Sequence, residues 1–344
     1  MPVRLVAGRP GPIVDVYAHG FDPRSGVGSV DAIHRPALDA SRNATIAWTS
    51  SEGARAGAQQ GVEAGPPPSA PAGAPQGVQV RALSASGALG PIVDVPTPGA
   101  FTFFPAVGIG ATGDAVVAWG DHARPDRLLA RTASAATGRI GPAIVVWAGT
   151  KERDRVVRQS IAVAAGSGDA AIVSWTNSPR YVHSAHDRPQ ARVLSADGRL
   201  GPLLTLAGRG PDPWARAGVT PDGHAVLAWR RGGSPVLEAR TLTLAGALGP
   251  AVRVAQVGSR REPGIAVAGA GTAVFAWKRG GHVVARSLSA SGALGHPATL
   301  SGHDTFIEHV QAAAAGRGGM VAWDADLRPR LRAVVARGLT SGVR

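Results

Sequence analysis

The chain has no cysteine and only two lysines, Lys151 and Lys278, in 344 residues. Without cysteine there is no disulfide, no thiolate metal site and no cysteine nucleophile. Aromatic residues make up 5 % of the chain, so a core must rest on Ala, Val and Leu with a few large anchors. No apolar run approaches the roughly 20 residues of a membrane-spanning helix. The opening segment, Met1 to Gly8, has neither the apolar stretch nor the cleavage site of a secretory leader. Acidic residues are also scarce: 23 Asp and Glu stand against 36 Lys and Arg, a formal charge of +13. Such an excess suits polyanions. Yet no dense basic run is present. The closest, Lys151-Glu152-Arg153-Asp154-Arg155, is interrupted by acids, so the arginines read as dispersed solvated cations and nucleic acid is not the expected partner.

What the chain does have is repetition. Six near-copies of one phrase end in tryptophan: Thr45-Ile46-Ala47-Trp48, Val116-Val117-Ala118-Trp119, Ile172-Val173-Ser174-Trp175, Val226-Leu227-Ala228-Trp229, Val274-Phe275-Ala276-Trp277 and Met320-Val321-Ala322-Trp323. Successive tryptophans are 71, 56, 54, 48 and 46 positions apart. A second phrase follows each, clearest as Val80 to Pro91, Val-Arg-Ala-Leu-Ser-Ala-Ser-Gly-Ala-Leu-Gly-Pro. Glycine (47) and proline (27) are abundant, as many tight turns require. A strand-like repeat of this length is the mark of a β-propeller, in which each unit buries its apolar faces against its neighbours.

One unit illustrates the grammar. Phe104 to Ile109 is strand a, and Ala111-Thr112-Gly113-Asp114 a turn. Ala115 to Trp119 is strand b, apolar on both faces as a strand between two blades must be. Arg127 to Ala133 is strand c, and Gly141 to Val146 is strand d with its proline at the start. The grammar recurs at 35–96, 153–206, 214–254, 261–300 and 308–344. The last copy stops after strand c. Gly11-Pro12-Ile13-Val14-Asp15-Val16 repeats Gly90-Pro91-Ile92-Val93-Asp94-Val95 letter for letter. The expectation is therefore one all-β domain over residues 1–344, a single propeller of six four-stranded blades, its ring closed by the N-terminal strand. Val3 to Val6 resembles a seventh strand c, so seven blades, or a fragment of a longer array that begins mid-repeat, is the alternative. An incomplete N-terminus would place the protein outside the cell or in the periplasm; otherwise the cytoplasm is expected. Residues 53–77, with Gly65-Pro66-Pro67-Pro68, read as a disordered Gly/Pro/Ala-rich insertion within the first blade.

The strand-c arginine recurs at Arg81, Arg131, Arg192, Arg240, Arg286 and Arg337. A residue used alike in every blade serves what every blade needs, so it reads as scaffold, its stem between blades. His183 and His186 beside Asp187 lie in a loop without a third ligand, and no metal or other cofactor is expected. No Gly-x-Ser-x-Gly elbow, phosphate loop or His-Glu-x-x-His is present. Length variation falls on the b–c and d–a connections, together with most aromatics outside the repeat. Variable loops on a fixed scaffold are where binding resides. The expected contact residues there are Phe101, Phe103, Arg155, Trp214, Arg216, Arg261, Asp304 and Phe306.

The blades resemble bacterial β-propeller repeats, whose members bind proteins, sugars or peptides and sometimes catalyse. Thr220-Pro221-Asp222-Gly223 resembles the Ser-Pro-Asp-Gly phrase of TolB-type propellers in one blade. Ser195-Ala196-Asp197-Gly198 is placed like a sialidase Asp-box but lacks its closing Thr-Trp, so no sialidase residues carry over. The functional expectation is a monomeric, non-enzymatic binding scaffold for a protein or glycan partner. The alternative is a hydrolase or lyase acting on an anionic polysaccharide, with Asp154, Asp212, Glu262, Asp304 and Glu308 as the acids available in d–a loops.

Overall fold

A computed structural model describes residues 30–33, 37–38, 44–50, 77–84, 86, 88–97, 102–110, 112–121, 126–134, 137–150, 154–157, 160–166, 170–179 and 185–211. It further describes residues 213–220, 223–244, 246–257, 263–268, 272–303, 307, 310–315, 318–328 and 331–340. These residues form six antiparallel sheets and no helix. The first sheet holds β1 (Val30–Ile33), β2 (Ala37–Leu38), β3 (Ala44–Ser50), β4 (Gly77–Leu83) and β5 (Leu89–Val95). The second holds β6 (Thr102–Ile109), β7 (Ala115–Asp121), β8 (Arg127–Ala133) and β9 (Ile144–Ala148). The third holds β10 (Arg155–Val156), β11 (Ala162–Ala165), β12 (Ala171–Ser178), β13 (Arg188–Leu194) and β14 (Leu204–Thr205). The fourth runs β15 (Trp214–Val219), β16 (His224–Arg230), β17 (Val236–Thr243) and β18 (Val252–Gln256). The fifth runs β19 (Gly264–Ala268), β20 (Thr272–Arg279), β21 (His282–Leu288) and β22 (Ala298–Thr299). The sixth has three strands, β23 (Val310–Ala315), β24 (Gly318–Arg328) and β25 (Leu331–Thr340). Within each sheet the strands pair in chain order, so a–b and c–d turns share one end and b–c connections the other.

The alternation of strand b explains the stacking. Val117 and Trp119 pack with Ala47, Val78 and Val95 of the first sheet. Val116 and Ala118, on the opposite face of the same strand, pack with Val173 and Trp175 of the third. The pattern repeats down the chain. Leu227 and Trp229 meet the third sheet, Phe275 and Trp277 the fourth, and Val321 and Trp323 the fifth. Five apolar clusters thus fill the five spaces between successive sheets, each holding the tryptophan of its later sheet. A period-2 strand buried on both faces supplies this geometry. Trp119 and Trp175 are fully buried, whereas the Trp229 indole also donates to Glu238 Oε2 at 3.0 Å.

The repeated arginine is a staple between sheets. Arg81, Arg192 and Arg286 donate through Nε to the carbonyls of Gly90, Gly201 and Gly295, each at 2.8 Å. Arg131 reaches Gly141 through Nη1 at 2.7 Å. These are the glycines that open strand d. The second arm crosses to the preceding sheet: Arg192 Nη1 donates to Val146 O at 2.8 Å and Arg286 Nη1 to Val254 O at 2.7 Å. The fork geometry of guanidinium serves both carbonyls at once, which an ammonium cannot do from the same stem. Arg286→Lys is therefore expected to lower unfolding free energy by about 1–3 kcal/mol, measured by urea denaturation. An unchanged midpoint would remove the staple from the account. The turn between strands c and d closes on a left-handed glycine, with φ of +82° at Gly198, +92° at Gly246 and +86° at Gly292.

Three local features differ from the sequence expectation. Strand a of the first sheet starts at Val30 rather than residue 35 and is split, β1 and β2 both pairing with β3. Strand a of the third sheet is split likewise into β10 and β11. In β6 the register shifts between Phe103 and Ala106, where Phe104 has φ 47° and Pro105 has no N–H to give. Strand d is shorter than expected in most sheets. The ladder is interrupted around the strand-d glycine, leaving one isolated bridge before it, as at Leu194↔Leu200, Leu242↔Leu248 and Leu288↔Leu294. Residues 1–29, with Val3–Val6 and the proposed strand at 11–16, lie outside the described residues. So does the insertion at 53–77 apart from Gly77, which opens β4.

Candidate functional site

The end carrying the b–c and d–a connections rests on a base of buried charge and backbone clamps. Asp126, fully buried, precedes β8. Its Oδ2 accepts from Val156 N at 3.2 Å, and its Oδ1 lies 3.7 Å from Arg155 Nε. Its backbone N–H donates to Asp154 O, and its own carbonyl accepts from Gly149 N. One carboxylate thus ties the second sheet to the entry of the third. Asp187 stands in the same place before β13, also fully buried, with its carbonyl accepting from Gly210 N at 3.1 Å. Asp121, at the end of β7, is buried and accepts from Arg127 Nε at 3.0 Å. Gly210 and Gly232 bring two connections together so closely that a Cβ on Gly232 would lie 2.0 Å from the Gly210 carbonyl carbon. Only glycine permits that approach.

The third and fourth sheets meet through a polar seam. Ser174 Oγ donates to Ala215 O at 3.4 Å and Thr176 Oγ1 to Pro213 O at 3.2 Å. Arg216 Nη1 donates to Ser160 O at 3.1 Å and Ala215 O at 2.9 Å. Ser174, Thr176 and Arg216 are buried, as is Ser160, which contributes its carbonyl.

The residues singled out from sequence are distributed as follows. Arg155 is held by Asp126 and donates from Nη1 to Asp154 O at 3.0 Å. Trp214 is 5 % exposed and belongs to the apolar cluster between the fourth and fifth sheets. Arg216 lies in the seam just described. Trp214 and Arg216 are buried and Arg155 is partly buried within the described strands. Phe103 lies in β6 beside the register shift. Phe101, Arg261, Asp304 and Phe306 lie outside the described residues. Of the five loop acids, Asp154 alone is described, and its Oδ2 accepts from Thr150 N at 2.9 Å and Thr150 Oγ1 at 3.2 Å. His186 is exposed, and His303 stacks edge-on to His282 at 5.4 Å. Among the described residues no group of three His, Asp or Glu is placed to hold a metal ion, and no helix is long and apolar enough to cross a membrane.

Sequence reading overlooked the buried carboxylates. Their signal is the dipeptide Asp126-Arg127 and Asp187-Arg188, which opens strand c in two successive units. It also overlooked Trp147, whose ring lies 6.5 Å from that of Trp175.

No family model and no curated protein matches the chain. Solved structures do. Hydrazine synthase from Kuenenia stuttgartiensis aligns with TM-score 0.51 and 10 % identity over 89 % of this chain and 80 % of that one. A protein of unknown function from Dyadobacter fermentans aligns with TM-score 0.48 and 11 % identity, over 89 % and 93 % of the two chains. TolB from Acinetobacter baumannii aligns with TM-score 0.41 and 12 % identity, over 79 % and 55 %. At these identities the likeness concerns fold alone, and the fold is a propeller-like, all-β stack of antiparallel sheets.

Proposed function

We propose that the chain is a closed propeller of six four-stranded blades that acts as a non-enzymatic binding scaffold. Its ligand surface is the end built from b–c and d–a connections, and its ligand is a protein or a glycan. Phe101, Phe103, Arg261, Asp304 and Phe306 are the proposed contacts, and Arg155, Trp214 and Arg216 are proposed to support them. The observation that carries this reading is the contrast between the two ends. At the a–b and c–d end, register and turn bonds repeat from sheet to sheet. At the other end the connections differ in length and composition while their base is clamped by Asp126 and Arg216. A rigid base with variable loops is the arrangement binding proteins use.

The test is an array of glycans and polyanions read at rising salt, with the double variant Arg261→Ala/Phe306→Ala alongside. The expected result is selective binding that survives salt and is lost in the variant at an unchanged melting temperature. Binding without preference that disappears with modest salt would reduce the arginines to nonspecific charge.

A further inference from the structure

Two residues, Gly280 and Gly281, make the b–c connection of the fifth sheet. With φ of +55° and +80° they turn β20 directly into β21, and Arg279 pairs with His282 across the turn. His282 therefore opens strand c at a fixed place, and strand d is sewn to it there. Leu300 N donates to Val283 O at 2.8 Å, Val283 N to Ser301 Oγ at 2.8 Å, and His282 Nδ1 to Ser301 O at 3.3 Å. Ser301 Oγ in turn donates to Gly302 O at 2.8 Å. Just beyond, the His303 ring lies 5.4 Å from that of His282, at 86° to it. His282 is half-buried and His303 exposed.

The scaffold does not call for histidine at this place. Strand c opens on Gly77, Arg127, Arg188 and Val236 in the four preceding sheets. The bond to Ser301 settles the tautomer of His282. A carbonyl only accepts, so Nδ1 carries the proton and Nε2 presents a lone pair. A histidine that ligates a metal is held in this way, its other ring nitrogen donating to a carbonyl or carboxylate. The separation of the rings fits as well. Two imidazoles on one tetrahedral zinc, with Zn–N of about 2.0–2.1 Å, have centroids about 5.2 Å apart; at the right angle of an octahedral or square-planar ion they would be about 4.5 Å apart. Arg279, across the turn from His282, disfavours a hard cation held by charge. A borderline metal held by neutral imidazole nitrogen tolerates it better.

We infer that His282 and His303 form a zinc(II) site at the loop end of the fifth sheet, with water filling the remaining positions. Two strands tied by three hydrogen bonds hold the pair, so the metal need not order a loop in order to bind. With two protein ligands the affinity is that of an open site, below that of a four-ligand structural one. The site is independent of the glycan or protein ligand proposed above.

The experiment is titration of the full chain with zinc chloride, read by calorimetry and melting temperature, and with cobalt(II) chloride, read by the visible absorption of its tetrahedral complexes. Saturable zinc binding is expected, with a rise in melting temperature. His282→Ala and His303→Ala should each weaken it about tenfold or more and remove the cobalt band. His186→Ala and His296→Ala, at exposed histidines elsewhere, should change neither. Magnesium and calcium, which take oxygen ligands, should displace nothing. Without metal, His303→Ala should melt as the wild type does, so that its loss of binding is not a loss of fold. Absence of saturable zinc binding, or binding equal in the wild type and both site variants, overturns the proposal and leaves the pair an edge-on ring contact.

Discussion

Removing residues 1–16 is expected to lower the unfolding free energy by several kcal/mol, because the proposed N-terminal strand would cover the edge of the sixth sheet. The expectation comes from register. In each of the first five sheets the third residue after the strand-d glycine pairs with the residue before the strand-c arginine. The pairs are Val93↔Val80, Ile144↔Ala130, Leu204↔Ala191, Val252↔Ala239 and Ala298↔Ala285. The sixth sheet follows the same rule as far as it goes. Arg337 pairs with Val321 as Arg131 pairs with Val117 and Arg192 with Val173. Among the described residues it has three strands, and the proposed fourth is Gly11 to Val16, a segment identical in sequence to Gly90 to Val95. In β5 the last residue of this phrase, Val95, is 2 % exposed. Burying one valine contributes about 1.5–3 kcal/mol, and an unpaired edge adds a liability of its own. Deletion of residues 1–10 should cost far less. If the chain without residues 1–16 melts at the temperature of the intact one, the N-terminal strand does not complete the sixth sheet.

Trp175→Ala is expected to cost about 3–5 kcal/mol. The ring is fully buried between the second and third sheets against Trp147, Val116 and Leu128. Its indole N–H has no hydrogen-bond partner among the described residues, so the cost is that of cavity and transfer. Urea titration should show a lower midpoint at unchanged slope. Trp229→Ala differs in kind, because it also releases the half-buried Glu238 carboxylate. A Trp175→Ala midpoint within about 1 kcal/mol of the wild type would mean that the second and third sheets are not closely packed there.

Much of the architecture was legible because it is periodic. The alternation of strand b, repeated six times, announces a strand buried on both faces. The recurring arginine announces a need common to the units; at Arg192 and Arg286 that need is a pair of carbonyls, one in each of two sheets. What escaped sequence reading depends on groups distant in the chain. The split of strand a at β10 and β11 goes with the clamp from Asp126 onto Val156, thirty positions away. Trp214 and Arg216 read as loop residues rich in binding chemistry; in the fold they are covered by the neighbouring sheets.

The closed ring is tested most directly by cross-linking, which the absence of cysteine makes clean. Continuing the register of the other five sheets pairs Ala336 with Val14 and Val335 with Asp15. Adjacent pairs alternate between hydrogen-bonded and non-hydrogen-bonded positions, so one of the two has the shorter Cα separation that suits a disulfide. The double variants Val14→Cys/Ala336→Cys and Asp15→Cys/Val335→Cys are oxidised mildly, with Pro12→Cys/Ala336→Cys as the slipped control. The account predicts rapid intramolecular disulfide formation in at least one of the first two and not in the control. Cross-linking in neither, or equally in all three, would contradict it.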